Sequence, residues 1–369
     1  MTTTIRTSEP RELLALVPFQ LGFQPQESAV VISVRAHRSR VGMVARVDLA
    51  DLSCPVRGPE VARALVAHLV ADGARSVVLV VYTAADLRGT DAATATSLVR
   101  NVARATEGVL DGPSTWVVTP GGWYGLDCSD DTCCPPGGRP HAELESTAVG
   151  AEMVLRGAAV APSREGLGAV GDASAPARRS ARRAAVRWAD RARAAASPSE
   201  LHRWRHAGLV EWRSCLEAAR AGRPETRPTV LGRLRASLDD VLVRDAVLLL
   251  VVPCEEDLPD RVVAGDAGAD VGDALRALVD PAGGVPPDGE TCRAVGGVLA
   301  GVAAHTTGGR HAPSLTLLAV LAWWSGDGAR AAVLLERALE AEPAYRLARL
   351  VEEAVVAGMP PGWLARGRV

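Results

Sequence analysis

An α/β N-terminal domain with a mixed sheet and crossover helices, followed by an all-α helical C-terminal domain, is the fold class that three observations predict. Between residues 28 and 119, short β-branched runs alternate with segments of helical period. Beyond residue 177 almost every apolar pattern has helical spacing. Residues 161–176, rich in proline, glycine and serine, separate the two regimes as a linker. The division this gives is an α/β domain over 1–160, a linker over 161–176 and a helical domain over 177–369.

In the first domain, Pro10 stands at the start of a short helical pattern around residues 13–18. The runs at 28–34 and 41–49 read as two strands of a hairpin joined across the polar stretch 35–40. The period then changes. A helix over 60–71, a buried strand over 76–82, a helix over 91–106 and a strand over 114–119 give the order β, β, α, β, α, β, which requires crossover connections. A further helix is predicted over 141–157.

The second domain reads as helices over 178–196, 199–221, 229–252, 271–279 and 290–305, with three more from 314 to 358. Leu315, Leu318, Ala319 and Ala322, then Gly326-Asp327, Ala331, Leu335, Ala338 and Pro343, form a tetratricopeptide-like hairpin over 314–343. One such unit cannot bury its own faces, so it is expected to pack on neighbouring helices.

Composition narrows the function classes. With 48% apolar residues and a mean hydropathy of +0.10, a chain of 369 residues has the material for sizeable cores. All 41 basic residues are arginine, and a net charge of −2 argues against a strong phosphate-backbone binder. The polar start lacks the apolar run of a signal peptide, and the densest apolar run, 246–252, is far short of the roughly 20 residues that span a bilayer. A cytoplasmic protein is therefore expected. There thiols stay reduced, so seven unevenly spaced cysteines suggest a metal or redox site rather than a disulfide framework.

That site is sought in the loop 123–138, where Cys128, Cys133 and Cys134 lie among aspartates, prolines and glycines. Thiolates bind zinc in tetrahedral sites, and Cys128-x4-Cys133 has workable spacing; Cys134 adds a third sulfur and His141 offers a nitrogen. Adjacent cysteines in extended chain point opposite ways, so the use of both Cys133 and Cys134 demands a turn. Two alternatives stand beside zinc: reversible disulfide closure from Cys128, and plain packing of reduced thiols beneath Trp123 and Tyr124.

Val17-Pro18-Phe19, Leu21-Gly22-Phe23, Pro25 and Ser28, together with Cys128, Cys133-Cys134-Pro135, Val243-Arg244-Asp245-Ala246 and the 326–343 hairpin, carry a resemblance spanning nearly the whole chain. The sequence resembles the actinobacterial family of the domain of unknown function 4192. The resemblance implies that the cysteine loop recurs in this protein type, and it implies no activity. Relatives often carry a histidine where Gln24 stands.

Other residues carry weaker signals. Ser28 would need a base such as His68 or His141 to act as a nucleophile, and no Gly-x-Ser-x-Gly elbow surrounds it. Arg178, Arg179, Arg182, Arg183, Arg187 and Arg191 form a basic helical stripe that could grip phosphates or be neutralised by Glu200, Glu211 and Glu217. Asp240 and Arg244 are one turn apart and are expected to pair, and His202 and His206 share a helix face. The expectation that follows is a binding or regulatory adaptor rather than an enzyme, with a protein partner on the helical domain and a metal-binding or redox-sensing loop. A hydrolase or transferase near Ser28, and nonspecific nucleic-acid association through Arg178 to Arg191, are the rivals.

Overall fold

Valine-rich runs build a five-stranded mixed sheet in a computed structural model that describes residues 9–36, 40–266 and 268–366. The strands are β1 (Ser28–Arg35), β2 (Arg40–Asp48), β3 (Ala74–Tyr82), β4 (Asp111–Thr119) and β5 (Gly122–Gly125), in the order β2-β1-β3-β4-β5. β1 is antiparallel to both neighbours, whereas β3 and β4 are parallel and β5 returns antiparallel to β4. Central β1 is buried on both faces, which is why its sequence is a continuous apolar run rather than an alternating one.

The helices divide between the two faces. α1 (Pro10–Leu21) precedes the sheet; α2 (Leu49–Ser53) and α3 (Gly58–Ala71) follow β2, and α4 (Ala92–Thr106) makes the parallel crossover from β3 to β4. Ala29, Val31, Val77, Leu79, Val81 and Val117 pack with Leu52, Leu65, Leu69 and Leu98 from α2, α3 and α4. On the other face α1 packs with α5 (Ala142–Glu145) and α6 (Ala148–Leu155), and Tyr82 and Val118 point into a cavity lined by α1 residues. The single helix predicted over 141–157 is broken because the Thr147 hydroxyl accepts from Gly150 N–H at 3.1 Å and starts a new helix there. β5 and α2 carry too few residues to show a period, so they escape sequence reading.

Asp72 ties β1 to β2. Its carboxylate, with a fully buried side chain, accepts from Arg35 Nη2 at 2.7 Å and Nε at 3.1 Å and from Met43 N–H at 2.8 Å. Burial opposes its ionisation, but these donors outweigh that cost and hold the carboxyl below its ordinary range. The stabilisation is therefore complete above the unfolded carboxyl range and is lost as pH falls through the lower folded value. Asp72→Asn is expected to lower stability at pH 7 by about 2–3 kcal/mol, at the low end for a buried pair because Arg35 is one-third exposed. Denaturant melts should show the gap to wild type narrowing below about pH 4; a gap that stays constant there would contradict this account.

The chain divides between Gly166 and Leu167 into two compact units. The linker expected over 161–176 is thus only partly free of structure. Ala161 pairs with the N-terminal segment, through Ala161 N–H to Gly22 O and Gln24 N–H to Ala161 O, and a 3-10 turn covers Glu165–Gly168. Its glycines and prolines mark irregular backbone, not an absence of contacts.

The second unit is helical throughout: α7 (Ala175–Arg193), α8 (Pro198–Arg220), α9 (Pro228–Ser237), α10 (Val241–Leu249), α11 (Leu258–Ala264), α12 (Ala269–Arg276), α13 (Gly289–Ala304), α14 (Ala312–Trp324), α15 (Gly328–Ala341), α16 (Arg346–Val356) and α17 (Gly362–Arg366). The side chains of Ser174, Ser197, Asp240, Asp288 and Asp327 each accept from a first-turn N–H and set where five of these helices begin. One helix was expected over 229–252; Asp240 splits it by capping α10 through Leu242 and Val243 N–H. Asp240 then pairs with Arg205 at 2.9 Å and not with Arg244, whose guanidinium pairs with Asp245 at 2.6 Å. In the expected hairpin, α14 is buried along its whole length among α13, α15 and α16, as an all-round apolar helix must be. Among the described residues no helix is long and apolar enough to cross a membrane.

Candidate metal centre in the cysteine loop

The loop leaves β5 and closes on itself. Trp123 N–H donates to Arg139 O at 3.0 Å and Arg139 N–H to Trp123 O at 2.8 Å, so the two ends of the excursion are pinned together. The join requires glycine at position 122, where a Cβ would lie 2.5 Å from the Arg139 carbonyl oxygen. The guanidinium of Arg139 covers the Trp123 ring at 4.9 Å.

Within the loop, Asp130 makes the turn that the adjacent cysteines demand. Its carbonyl accepts from Cys133 N–H at 3.1 Å and Cys134 N–H at 2.7 Å, and its carboxylate accepts from Thr132 N–H at 2.8 Å. Asp130 thus supplies a turn ahead of the two cysteines, and Gly138 N–H closes a second one after them on Pro135 O at 2.8 Å. Cys134 is buried against the sheet with Tyr124 and accepts from Gly125 N–H at 3.4 Å, while Cys133 is exposed.

The sulfurs of Cys128, Cys133 and Cys134 all lie within 4.8 Å of one another, and Cys133 and Cys134 are 3.9 Å apart. Thiolates around one tetrahedral ion at 2.3 Å sit about 3.8 Å from each other, so the set suits a soft metal with little rearrangement. Burial opposes ionisation of the Cys134 thiol, yet the Gly125 N–H, the neighbouring cysteines and the charge of Arg88 outweigh it and hold that thiol below its ordinary range. Its hydrogen bond to Cys134, then the charge there, holds Cys133 above the ordinary range. Of the two adjacent thiols, Cys134 thus ionises the more readily.

Arg88 is the functional residue that sequence reading missed. Its Nη2 donates to Gly125 O at 2.6 Å and Cys128 O at 2.7 Å, its Nη1 reaches Cys134 O at 3.4 Å, and its guanidinium stacks on Tyr124 at 4.2 Å. One side chain thereby clamps the strand end and two of the three clustered cysteines. It sits 46 positions before Cys134, and no spacing rule connects the two.

His141 does not join the cluster. Its Nε2 lies 2.7 Å from Thr119 O, which makes that nitrogen the donor, and its ring lines the cavity of about 490 Å³ on the opposite side of the sheet, with Gln24, Phe19 and Tyr82. The seven residues from Cys134 to His141 contain the Gly138 turn and the return pairing of Arg139, which carry the chain away from the sulfurs. The expected fourth ligand is therefore corrected to three sulfurs.

Ser28, the expected nucleophile of the enzyme reading, is fully buried; its hydroxyl donates to Gln26 O at 2.6 Å and accepts from Arg46 Nε at 2.8 Å. His202 and His206 face one another at 6.2 Å between ring centroids, with His202 Nδ1 near Val263 O and His206 Nε2 near Asp260.

A search against family profiles matches residues 10–362 to the family described as "Domain of unknown function (DUF4192)". The chain belongs to that family. The match runs through both units and the cysteine loop, as the sequence motifs imply. Comparisons with curated proteins and with solved structures find no match.

Proposed function

We propose that this member of the domain of unknown function 4192 family is a cytoplasmic binding or regulatory adaptor whose cysteine loop holds zinc through Cys128, Cys133 and Cys134. The observation that carries the reading is the convergence of three sulfurs within 4.8 Å on a loop pinned at both ends. Three thiolates and a divalent zinc leave one negative charge, and Arg88 and Arg139 supply positive charge beside it. A zinc ion with three protein ligands keeps one coordination position for water or an exogenous ligand. In this reading the protein partner docks on the helical unit, where Leu350, Val356 and Met359 are exposed at and just beyond α16.

Elemental analysis of tag-free protein purified under reducing conditions is expected to find close to one equivalent of zinc per chain; less than about a tenth of an equivalent of zinc, iron or copper would sink the metal assignment. The approach of the Cys128 sulfur to those of Cys133 and Cys134, within 4.8 Å, supports redox sensing by closure from Cys128 as a second reading. In it, two thiols close to a disulfide and give two protons and two electrons to an oxidant such as hydrogen peroxide. Thiol counting separates the readings: zinc should protect the three loop thiols from oxidation, whereas a pure redox loop oxidises equally with and without zinc.

A further inference from the structure

The arginine stripe of α7 does not behave as a single exposed face. Arg178 donates to Ala173 O at 2.6 Å and lies near Asp172, and Arg191 covers the Trp188 ring at 4.8 Å. Two of the three glutamates expected to neutralise the stripe are engaged elsewhere, Glu200 with Ala196 N–H and Glu211 with Arg233. Arg182 instead lines a cavity of about 370 Å³ within the helical unit.

Four arginines from three segments meet around that cavity: Arg182 and Arg193 from α7, Arg235 from α9, and Arg310 from the connection between α13 and α14. α7 and α9 come close enough to form its wall because position 232 is glycine; a Cβ there would lie 2.1 Å from Ala181 O. Arg193 pairs with Asp190 and Arg235 with Asp239, both at 2.9 Å. Among the described residues Arg182 and Arg310 form no ion pair, although the Asp239 carboxylate also feels the charge of Arg310, so the four arginines outnumber the two carboxylates paired beside them by two.

Arg235 is the central feature. It is only 9% exposed, its Nη2 is used by Asp239, and its Nε has no partner. A guanidinium does not lose its proton in a protein, so the buried Nε–H left without a partner calls for an acceptor. Burial, with Asp239 acting in the opposite sense and Arg310 adding repulsion, pulls its affinity for the proton below the ordinary range, in line with that demand.

We propose that this cavity binds a small molecule bearing a phosphate or diphosphate group, held by Arg182, Arg235 and Arg310. Guanidinium forks match phosphate oxygens in pairs, and a dianion balances the excess of two positive charges around the cavity. The volume suits a small ligand rather than a macromolecule. A nucleic-acid backbone would need the exposed arginines of α7 in a row, and here the charges converge on a concavity from three segments.

The test is calorimetric titration of the full chain with pyrophosphate and with inorganic phosphate at about 50 mM salt, where phosphate contacts are strongest. Saturable binding with one site per chain is expected. Arg182→Gln and Arg310→Gln, both at exposed positions and so tolerated by the fold, should each weaken binding about tenfold, the loss of one charge-assisted contact. Arg179→Gln and Arg187→Gln, on the same helix but outside the cavity lining, should change it less than about twofold. Three results would overturn the proposal: no saturable binding of either anion, equal losses in all four variants, or a single-stranded DNA probe that binds while pyrophosphate fails to displace it.

Discussion

Cys134→Ser is expected to weaken zinc binding at least a hundredfold and to erase the thermal stabilisation that zinc confers on the wild-type chain. A hydroxyl is a poor ligand for a soft ion, and Cys134 is the buried member of the cluster, with its thiol held below the ordinary range. Zinc at a hundred times its dissociation constant stabilises a folded site by about 2.7 kcal/mol, a rise in Tm of roughly 5–10 °C for a unit of this size. That rise should disappear in the variant while the metal-free melt moves little, because serine keeps the size of the side chain. The wild-type affinity should also fall as pH falls, since thiols must give up their protons to bind and that of Cys133 is held above its ordinary range. A variant that keeps the zinc-dependent rise would remove Cys134 from the site.

Arg88→Ala should damage the same site without touching a sulfur. It removes donors to Gly125 O, Cys128 O and Cys134 O and the cover over Tyr124, so about 2–3 kcal/mol of loop order is at stake. The zinc dissociation constant is expected to rise ten- to a hundredfold, as for other groups that orient ligands without binding the metal. Arg88→Lys should recover only part of this, because an ammonium cannot reach two carbonyls with the planar spacing of a guanidinium. Hydrogen exchange gives the readout that separates clamping from a general loss of stability: protection should fall at residues 126–138 and hold in β1 and β3. Equal loss across the sheet would assign Arg88 to the core and not to the loop.

Most of the fold is legible in the chain because the relevant signals are local. The runs at 28–34 and 76–82 could only be buried strands, and the helical periods at 60–71, 91–106 and 290–305 fall within a few residues of α3, α4 and α13. The errors have local causes as well. The segment 229–252 keeps a helical apolar pattern straight through Asp240, and only the capping geometry of that carboxylate shows that two helices meet there. Likewise Asp240 and Arg244 have the spacing of a helical pair, but an N-cap aspartate faces back to its own first turn and is free to take Arg205 from α8.

The candidate site divides along the same line. Cys128, Cys133 and Cys134 were visible as a cluster because seven residues of turn-forming sequence cannot take their sulfurs far apart. His141 was within reach by count, yet the return of the chain through Gly138 and Arg139 takes it across the sheet to Thr119. Arg88, and the gathering of Arg182, Arg235 and Arg310 around one cavity, had no sequence signal at all. Periodicity and turn chemistry act over a few neighbouring residues, so the sequence by itself determined the two structural classes, their order and the cysteine cluster. Which cation guards the sulfurs, where the histidine goes and which arginines share a cavity depend on contacts between residues dozens of positions apart, and those only the packing of sheet and helices decided.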